Sequence, residues 1–458
     1  MKFTIITHAV HKIKEKDVFA YEPYVREMNL WLKYVDEVKI VAPVSNEEIA
    51  AIESKYQFQH NETKRHSESA CPAGRQGEAI LSNEQITTSH TPRNDESERH
   101  SESACPAGRQ GEAILSNEQI ATSHTPRNDE IKLIEIPSFD ITLFKNGLNA
   151  IFKIPKILLN IYKAMKWADH IHLRCPGNIG LLGSIVQIAF PSKPKTIKYA
   201  GNWDPKSKQP LSYRFQKWLV SNTFLTKNAK VLVYGEWANQ SKNIVPFFTA
   251  SYSEKELLEE QIATSQIYSN KDTKRHSAPD AESHKYHFLF VGGLTPGKQP
   301  LLSVQVIHQL KEKGYTVQLD VYGEGTEQSK LENYIRTHSL KKEVILHGNT
   351  SKEIVKEAYK KAHFLVFISK SEGWPKVVAE AMFWGCLPIS SNVSCIPFML
   401  GNGSRGAIAN PNINEIVSVV ESYICDNEKY QIQVKEAMEW SRQYTLEKFE
   451  KEIGKLLK

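Results

Sequence analysis

The chain has 458 residues, 40% hydrophobic and 24% charged, with a net charge of +6. That length accommodates two or three domains and a sizeable core. The mild basic excess suits anionic ligands or anionic lipid, but without a basic block or an aromatic-spaced basic ribbon it argues against a nucleic-acid binder.

From the N-terminus, MKFTIITHAVHKIKEKD has too short an apolar core for a signal peptide, and KFTIIT (2–7) is expected as the first strand. A helix at YEPYVREMNLWLKYV and a strand at EVKIVAP follow. Residues 65–96 then recur at 99–130 with one change, Thr87 against Ala121, at an offset of 34 residues. That period is the one of helical repeats. Near-identity at polar positions, few large apolar residues and frequent Pro and Gly breakers leave no face to bury. The pair therefore reads as a polar duplicated insertion, disordered or loosely helical, with an interaction arm as the alternative. Its length is cheap, because closure entropy grows only logarithmically. A degenerate echo occupies 260–283.

After the insertion come the strand IKLIEIP, a basic amphipathic helix over about 148–167, the strand HIHLR, a helix opening near PGNIGLLGSIVQIAF, the strand TIKYA and the segment KVLVYG. Lys145, Lys153, Lys156, Lys163 and Lys166 alternate with apolar residues, so this helix suits packing on its own sheet, a peripheral contact with an anionic membrane, or one on each face. No run approaches 18 apolar residues, so no membrane span is expected. The six cysteines, Cys71, Cys105, Cys175, Cys386, Cys395 and Cys425, form no CxxC pair. They suit a reducing cytoplasm better than a zinc or dithiol site.

The second half restarts at YHFLFVGGL (286–294), with helices expected over 300–313, 327–338 and 352–361. Strands VQLDVYG, VILHG, FLVFIS and LPISS alternate with them, and helices end the chain. Strand–helix alternation throughout predicts an α/β fold of two Rossmann-like, doubly wound domains facing a cleft. The expected division is 1–250, a linker or insertion at 251–285, 286–425, and terminal helices 426–458 packing back on the first domain.

No glycine precedes Gly74, so the first strand carries no G-x-G-x-x-G, and no P-loop sequence occurs anywhere. Glycines instead follow strands in the second half: Gly292, Gly293, Gly323, Gly325, Gly348 and Gly373. Glycine at such turns allows close backbone approach to a ligand. Lys298, in GGLTPGKQP, is placed to act as a point charge on a diphosphate, or else is a solvated loop lysine. The stretch SEGWPKVVAEAMFWGCLPIS sets Glu372 and Glu380 eight apart, with Pro375 expected at the first helical position and Gly385 at the stop. The start of that helix favours a phosphate, leaving Glu372 to face a sugar and Glu380 the hydroxyls of a ribose, or else each glutamate is a solvated loop or helix charge.

In order and spacing, VGGLTPGK, VYGEG, VILHG and SEGWPKVVAEAMFWGCLPISS resemble retaining glycosyltransferases of the GT-B fold, family 4 (glycosyl transferases group 1). The resemblance implies a nucleotide-sugar held by the second domain, with Glu372 on the donor sugar, Glu380 on the ribose and Lys298 on the diphosphate. Glu372 and Lys298 are then the catalytic candidates. Donor binding extends to Gly292, Gly293, Gly323, Gly348, Gly373, Trp374, Pro375 and Lys376. It implies retention of configuration, a glycan or lipid-linked acceptor, surface-polysaccharide synthesis, and a cytoplasmic location extending to the inner face of the membrane. Two departures stand out. Gly293 replaces an arginine usual in the family, and YAGNWDP lacks the usual histidine after TIKYA, leaving Asn202 and Asp204 as acceptor-side candidates beside an ordinary polar turn. Arg174 and Asn178, in LRCPGNIG, are further acceptor-side candidates. No two aspartates are two apart, so no metal or other cofactor is expected and the leaving charge falls to Lys298 and the helix start. A non-catalytic nucleotide-sugar binder, and an epimerase or phosphorylase of the same fold, are the competing readings.

Overall fold

The computed structural model describes residues 1–50, 52–58, 131–137, 147–260 and 285–458. The duplication at 65–130, Lys145 and the 260–283 echo beyond its first residue lie outside them.

The first half contributes strands β1 (Lys2–Ile6), β2 (His11–Lys14), β3 (Asp17–Tyr21), β4 (Glu37–Pro43), β5 (Glu53–Lys55), β6 (Lys132–Ile136), β7 (His170–Cys175), β8 (Lys195–Tyr199), β9 (Ala229–Tyr234) and β10 (Ile244–Phe247). Its helices are α1 (Glu22–Leu32), α2 (Gly147–Trp167), α3 (Asn178–Val186) and α4 (Leu211–Ser221). Seven strands form a sheet in the order β10-β9-β8-β7-β1-β4-β6, parallel at every pairing. Parallel strands covered on both faces read as apolar runs, and β8 is buried at every position.

The stretch between the first strand and α1, to which the sequence assigned no element, forms a small sheet of its own. β2 and β3 form an antiparallel hairpin, Lys14 opposite Asp17, and β5 joins its edge. The strands are four and five residues long. Their pattern is too short to stand out, and the turn relies on Glu15 at φ +58° rather than on a glycine.

The second half contains β11 (Tyr286–Val291), α5 (Pro300–Glu312), β12 (Val317–Tyr322), α6 (Gln328–Thr337), β13 (Val344–Gly348), α7 (Lys352–Lys361), β14 (Phe364–Phe367), α8 (Lys376–Trp384), β15 (Leu387–Ser390), α9 (Ile396–Met399), β16 (Ala407–Ile408), α10 (Ile413–Cys425), α11 (Asn427–Ser441) and α12 (Leu446–Leu457). Its sheet, also parallel, runs β13-β12-β11-β14-β15-β16. The chain reverses its direction of travel between β11 and β14, and a crevice opens there at the carboxyl ends of the strands.

The last helix leaves this half. Leu446 N–H donates to Tyr252 O at 3.0 Å, Phe449 packs edge-on and tilted against Phe248 and Phe247, and Lys33 meets Glu450 at 2.6 Å beside α1. The terminal segment thus ties the two sheets through one aromatic core.

Candidate functional site

The crevice between β11 and β14 is bounded by the loops that follow those strands. They are stitched together: Lys370 N–H donates to Gly297 O at 2.8 Å, and Gln299 Nε2 to Ile368 O at 3.2 Å. Across this stitch Lys298 Nζ reaches Glu372 Oε1 at 2.5 Å and lies 5.1 Å over the Phe367 ring. The lysine side chain is 31% exposed and that of Glu372 only 7%. The two residues singled out as catalytic candidates are therefore in contact, with the ammonium on the open side.

Gly292 (φ +142°) and Gly323 (φ +130°) pack backbone to backbone, so that a Cβ on Gly323 would overlap Gly292 O. Gly323 N–H donates to Gly348 O at 2.8 Å, which lines up the ends of β12 and β13. Gly293 is different. A Cβ there meets nothing nearer than Thr295 Cγ2 at 3.8 Å, so packing does not require glycine at that position.

Helix α8 starts one residue later than the sequence suggested. Pro375 is its N-cap (φ −73°, ψ 89°), not its first helical residue, and no side chain caps it. The proline carbonyl accepts from Val378 N–H at 3.0 Å, and the N–H groups before that lack an intrahelical acceptor. Gly385, at φ +82°, ends the helix as expected of a left-handed cap. Glu380 accepts from Ser251 Oγ at 2.5 Å and from Tyr359 OH at 3.4 Å. Lys376 is half-buried. Burial pulls its pKa below the usual lysine value, against the carboxylates of Glu27 and Glu380.

Trp374 does not face the crevice. It is 7% exposed, packed among Tyr234, Trp440 and Tyr444 at ring distances of 5.8, 6.3 and 5.9 Å, and its indole N–H has no partner. Gly373 makes room for this wedge: its missing Cβ would sit 2.5 Å from Ala200 O, in the loop after β8.

From the first half, Asn202 reaches the same turn, Nδ2 donating to Ser371 Oγ at 3.4 Å. Asp204 instead closes its own turn, accepting Lys206 N–H at 2.8 Å on Oδ1 and Ser207 Oγ at 2.6 Å on its carbonyl, which is the ordinary polar-turn alternative. Arg174 already has partners within the chain. Its guanidinium binds Glu27 Oε1 at 2.6 Å with side-chain exposures of 12% and 7%, and covers the Tyr24 ring at 5.0 Å, so it is committed within the protein. Asn178 opens α3, behind Gly177 at φ +144°.

Glu27, Lys198, Ser251 and Tyr359 were not singled out from the sequence. For Lys198 the available signal was a charge inside an apolar strand, TIKYA; Glu27 and Tyr359 lie on helices and Ser251 in a loop, where no such signal exists. Lys198 is fully buried, donates to Phe248 O at 2.9 Å and lies 4.6 Å over Tyr234. Burial lowers its pKa from 10.5 to about 7. Between those values the unfolded chain binds the extra proton, so stability rises with pH at about 1.4 kcal/mol per unit for this group. Lys198→Met is expected to gain stability near neutral pH and to flatten that rise, as read by urea denaturation across the interval.

No curated protein matches the chain in sequence. Among solved structures, the lipopolysaccharide outer core galactosyltransferase WaaB superposes with TM-score 0.58 at 14% identity, covering 100% of this chain and 99% of that one. HepE of Anabaena, in complex with UDP and glucose, gives 0.57 at 11% identity, with 100% and 99% covered. Sucrose-phosphate synthase of Thermosynechococcus elongatus gives 0.56 at 14%, with 99% and 98% covered. Such likeness establishes the two-domain, Rossmann-like GT-B fold. Residues 271–440, which include Lys298, Glu372 and Glu380, match the family model described as glycosyl transferases group 1.

Proposed function

We propose that the protein is a retaining, metal-independent glycosyltransferase of family 4, moving a sugar from a nucleotide-sugar to a glycan or lipid-linked acceptor in surface-polysaccharide synthesis. The observation that carries this reading is the 2.5 Å contact of Lys298 with Glu372 at the reversal point of the second sheet, beside an uncapped helix start.

The chemistry asks for positive charge where the diphosphate leaves. Lys298 and the first-turn N–H groups of α8 supply it, and Lys376 adds a second ammonium where the usual arginine is replaced by Gly293. Glu372, held by Lys298, accepts from the sugar hydroxyls, and Glu380 from the ribose, oriented by Ser251 and Tyr359. Gly292, Gly323 and Gly348 keep the strand ends low enough for a nucleotide to approach. Asn202 is the acceptor-side residue joined directly to the donor turn, through Ser371.

Incubation with labelled nucleotide-sugars is expected to release nucleoside diphosphate only when acceptor is added, with the label passing to the acceptor. Binding without release would leave a sugar-nucleotide binder. Acceptor-independent release with an inverted sugar carbon would indicate an epimerase, and dependence on phosphate a phosphorylase.

A further inference from the structure

We propose that α4 and the turn after it form a docking surface for an anionic lipid bilayer. Leu211, Phe215 and Trp218 fall at i, i+4 and i+7, one stripe of the helix, and are 78%, 47% and 55% exposed. Phe224, just beyond, is 75% exposed, and the Phe215 and Trp218 rings stack at 5.6 Å. The opposite side of α4 buries Gln216, Leu219 and Val220, so the helix is already seated on the protein and this stripe is surplus to its packing. Single exposed apolar side chains are ordinary, but three large ones on one helix stripe, with a fourth in the turn that follows, mark an interaction site.

The charge around them identifies the occupant. No Asp or Glu occurs between Pro205 and Gly235, whereas Lys206, Lys208, Arg214 and Lys227 are exposed there. Lys227 Nζ lies 5.0 Å from the Phe224 ring. The same composition continues on α2, which has four lysines and no acidic residue, with Leu159 and Tyr162 50% and 41% exposed. Helix α3 lies between α2 and α4 and contacts both. A protein partner of this size would be met by mixed charges. A one-signed basic fringe around aromatic and aliphatic side chains instead suits phosphate headgroups above acyl chains, where the ammonium groups stay at the headgroups and the rings sink below them. Among the described residues no helix is long and apolar enough to cross a membrane, so the contact lies on the bilayer.

This moves the membrane contact suggested by the α2 lysines. Ile157, Ile161 and Ala164 of α2 are buried in the core of the first sheet, and α2 contributes the basic margin while α4 contributes the inserting side chains. The surface is separate from the Lys298–Glu372 site, so its test does not depend on the transfer reading.

The full chain is sedimented with vesicles of phosphatidylcholine alone or with about 30% phosphatidylglycerol. Wild type is expected to partition at least about tenfold more onto the anionic vesicles at low salt, an excess that shrinks as salt screens it. The Phe215→Ser/Trp218→Ser/Phe224→Ser variant is expected to lose about tenfold of that binding with an unchanged melting temperature. Should the triple variant misfold, Phe224→Ser alone, in an exposed turn, is expected to weaken binding severalfold. Lipids brominated on the acyl chain are expected to quench wild-type tryptophan fluorescence more than that of Trp218→Phe. Binding unchanged by these substitutions overturns the proposal, as does no binding to anionic vesicles. A wild-type dimer that the triple variant converts to monomer, without vesicle binding, would assign the face to a second copy and equally overturn it.

Discussion

Lys298→Ala is expected to lower the rate of sugar transfer about a hundredfold, the effect of removing one preorganised charge that stabilises a leaving group, worth about 3 kcal/mol. The lysine is the ammonium that contacts Glu372 at the crevice, and its 31% exposure leaves it open to a ligand. The substitution also strands Glu372, 7% exposed, without its partner, which costs about 1–3 kcal/mol of stability. Rates are therefore read on folded protein, with the melting temperature measured alongside. Lys298→Arg keeps the charge but not the compact geometry, and is expected to restore only part of the rate. Glu372→Gln preserves shape and is expected to lose transfer while still binding nucleoside diphosphate. Wild-type turnover by Lys298→Ala would remove the lysine from the mechanism.

Arg174→Ala is expected to destabilise the protein by about 3–5 kcal/mol, because it leaves the carboxylate of Glu27 buried and unpaired. The pair is nearly closed to solvent on both sides, at 12% and 7% exposure. Burial pushes the Glu27 carboxyl up, but Arg174 first, then Lys198 and Lys376, outweigh it and hold it below its ordinary 4.5. A carboxyl with a depressed pKa stabilises the fold above that value and loses the contribution as pH falls below it. In the alanine variant the carboxyl is expected to rise instead, so its deficit shrinks on acidification. Urea denaturation at neutral and mildly acidic pH reads both. A deficit under about 1 kcal/mol would mean that the pair is solvated, and would return Arg174 to the acceptor-side candidates.

The frame of the second half was legible in the sequence because its strands are short apolar runs, three of them closed by glycine. VILHG, the helix 352–361 and the helix KVVAEAMFW occur where they were expected. Lys298 and Glu372 are brought together for the same reason, since loops on either side of a chain reversal must meet. What stayed hidden depends on partners far away along the chain. Trp374 looked like a ligand contact because nothing near it in sequence announces Tyr234, Trp440 and Tyr444. Arg174 looked free because Glu27 lies 147 residues earlier, on a helix whose buried side contains an acid among apolar residues. The exposed aromatics of α4 lie in a segment to which the sequence assigned no element, and only the structure puts them on the outside of a helix.

The most direct measurement is a crystal structure of the protein with the nucleotide-sugar that most raises its melting temperature in a panel of UDP-, GDP- and ADP-sugars. The diphosphate is expected between Lys298 Nζ and the first turn of α8, the sugar against Glu372 and the ribose against Glu380. A nucleotide-sugar bound elsewhere, with Lys298 still joined to Glu372 and Glu380 still closed by Ser251 and Tyr359, would contradict the account.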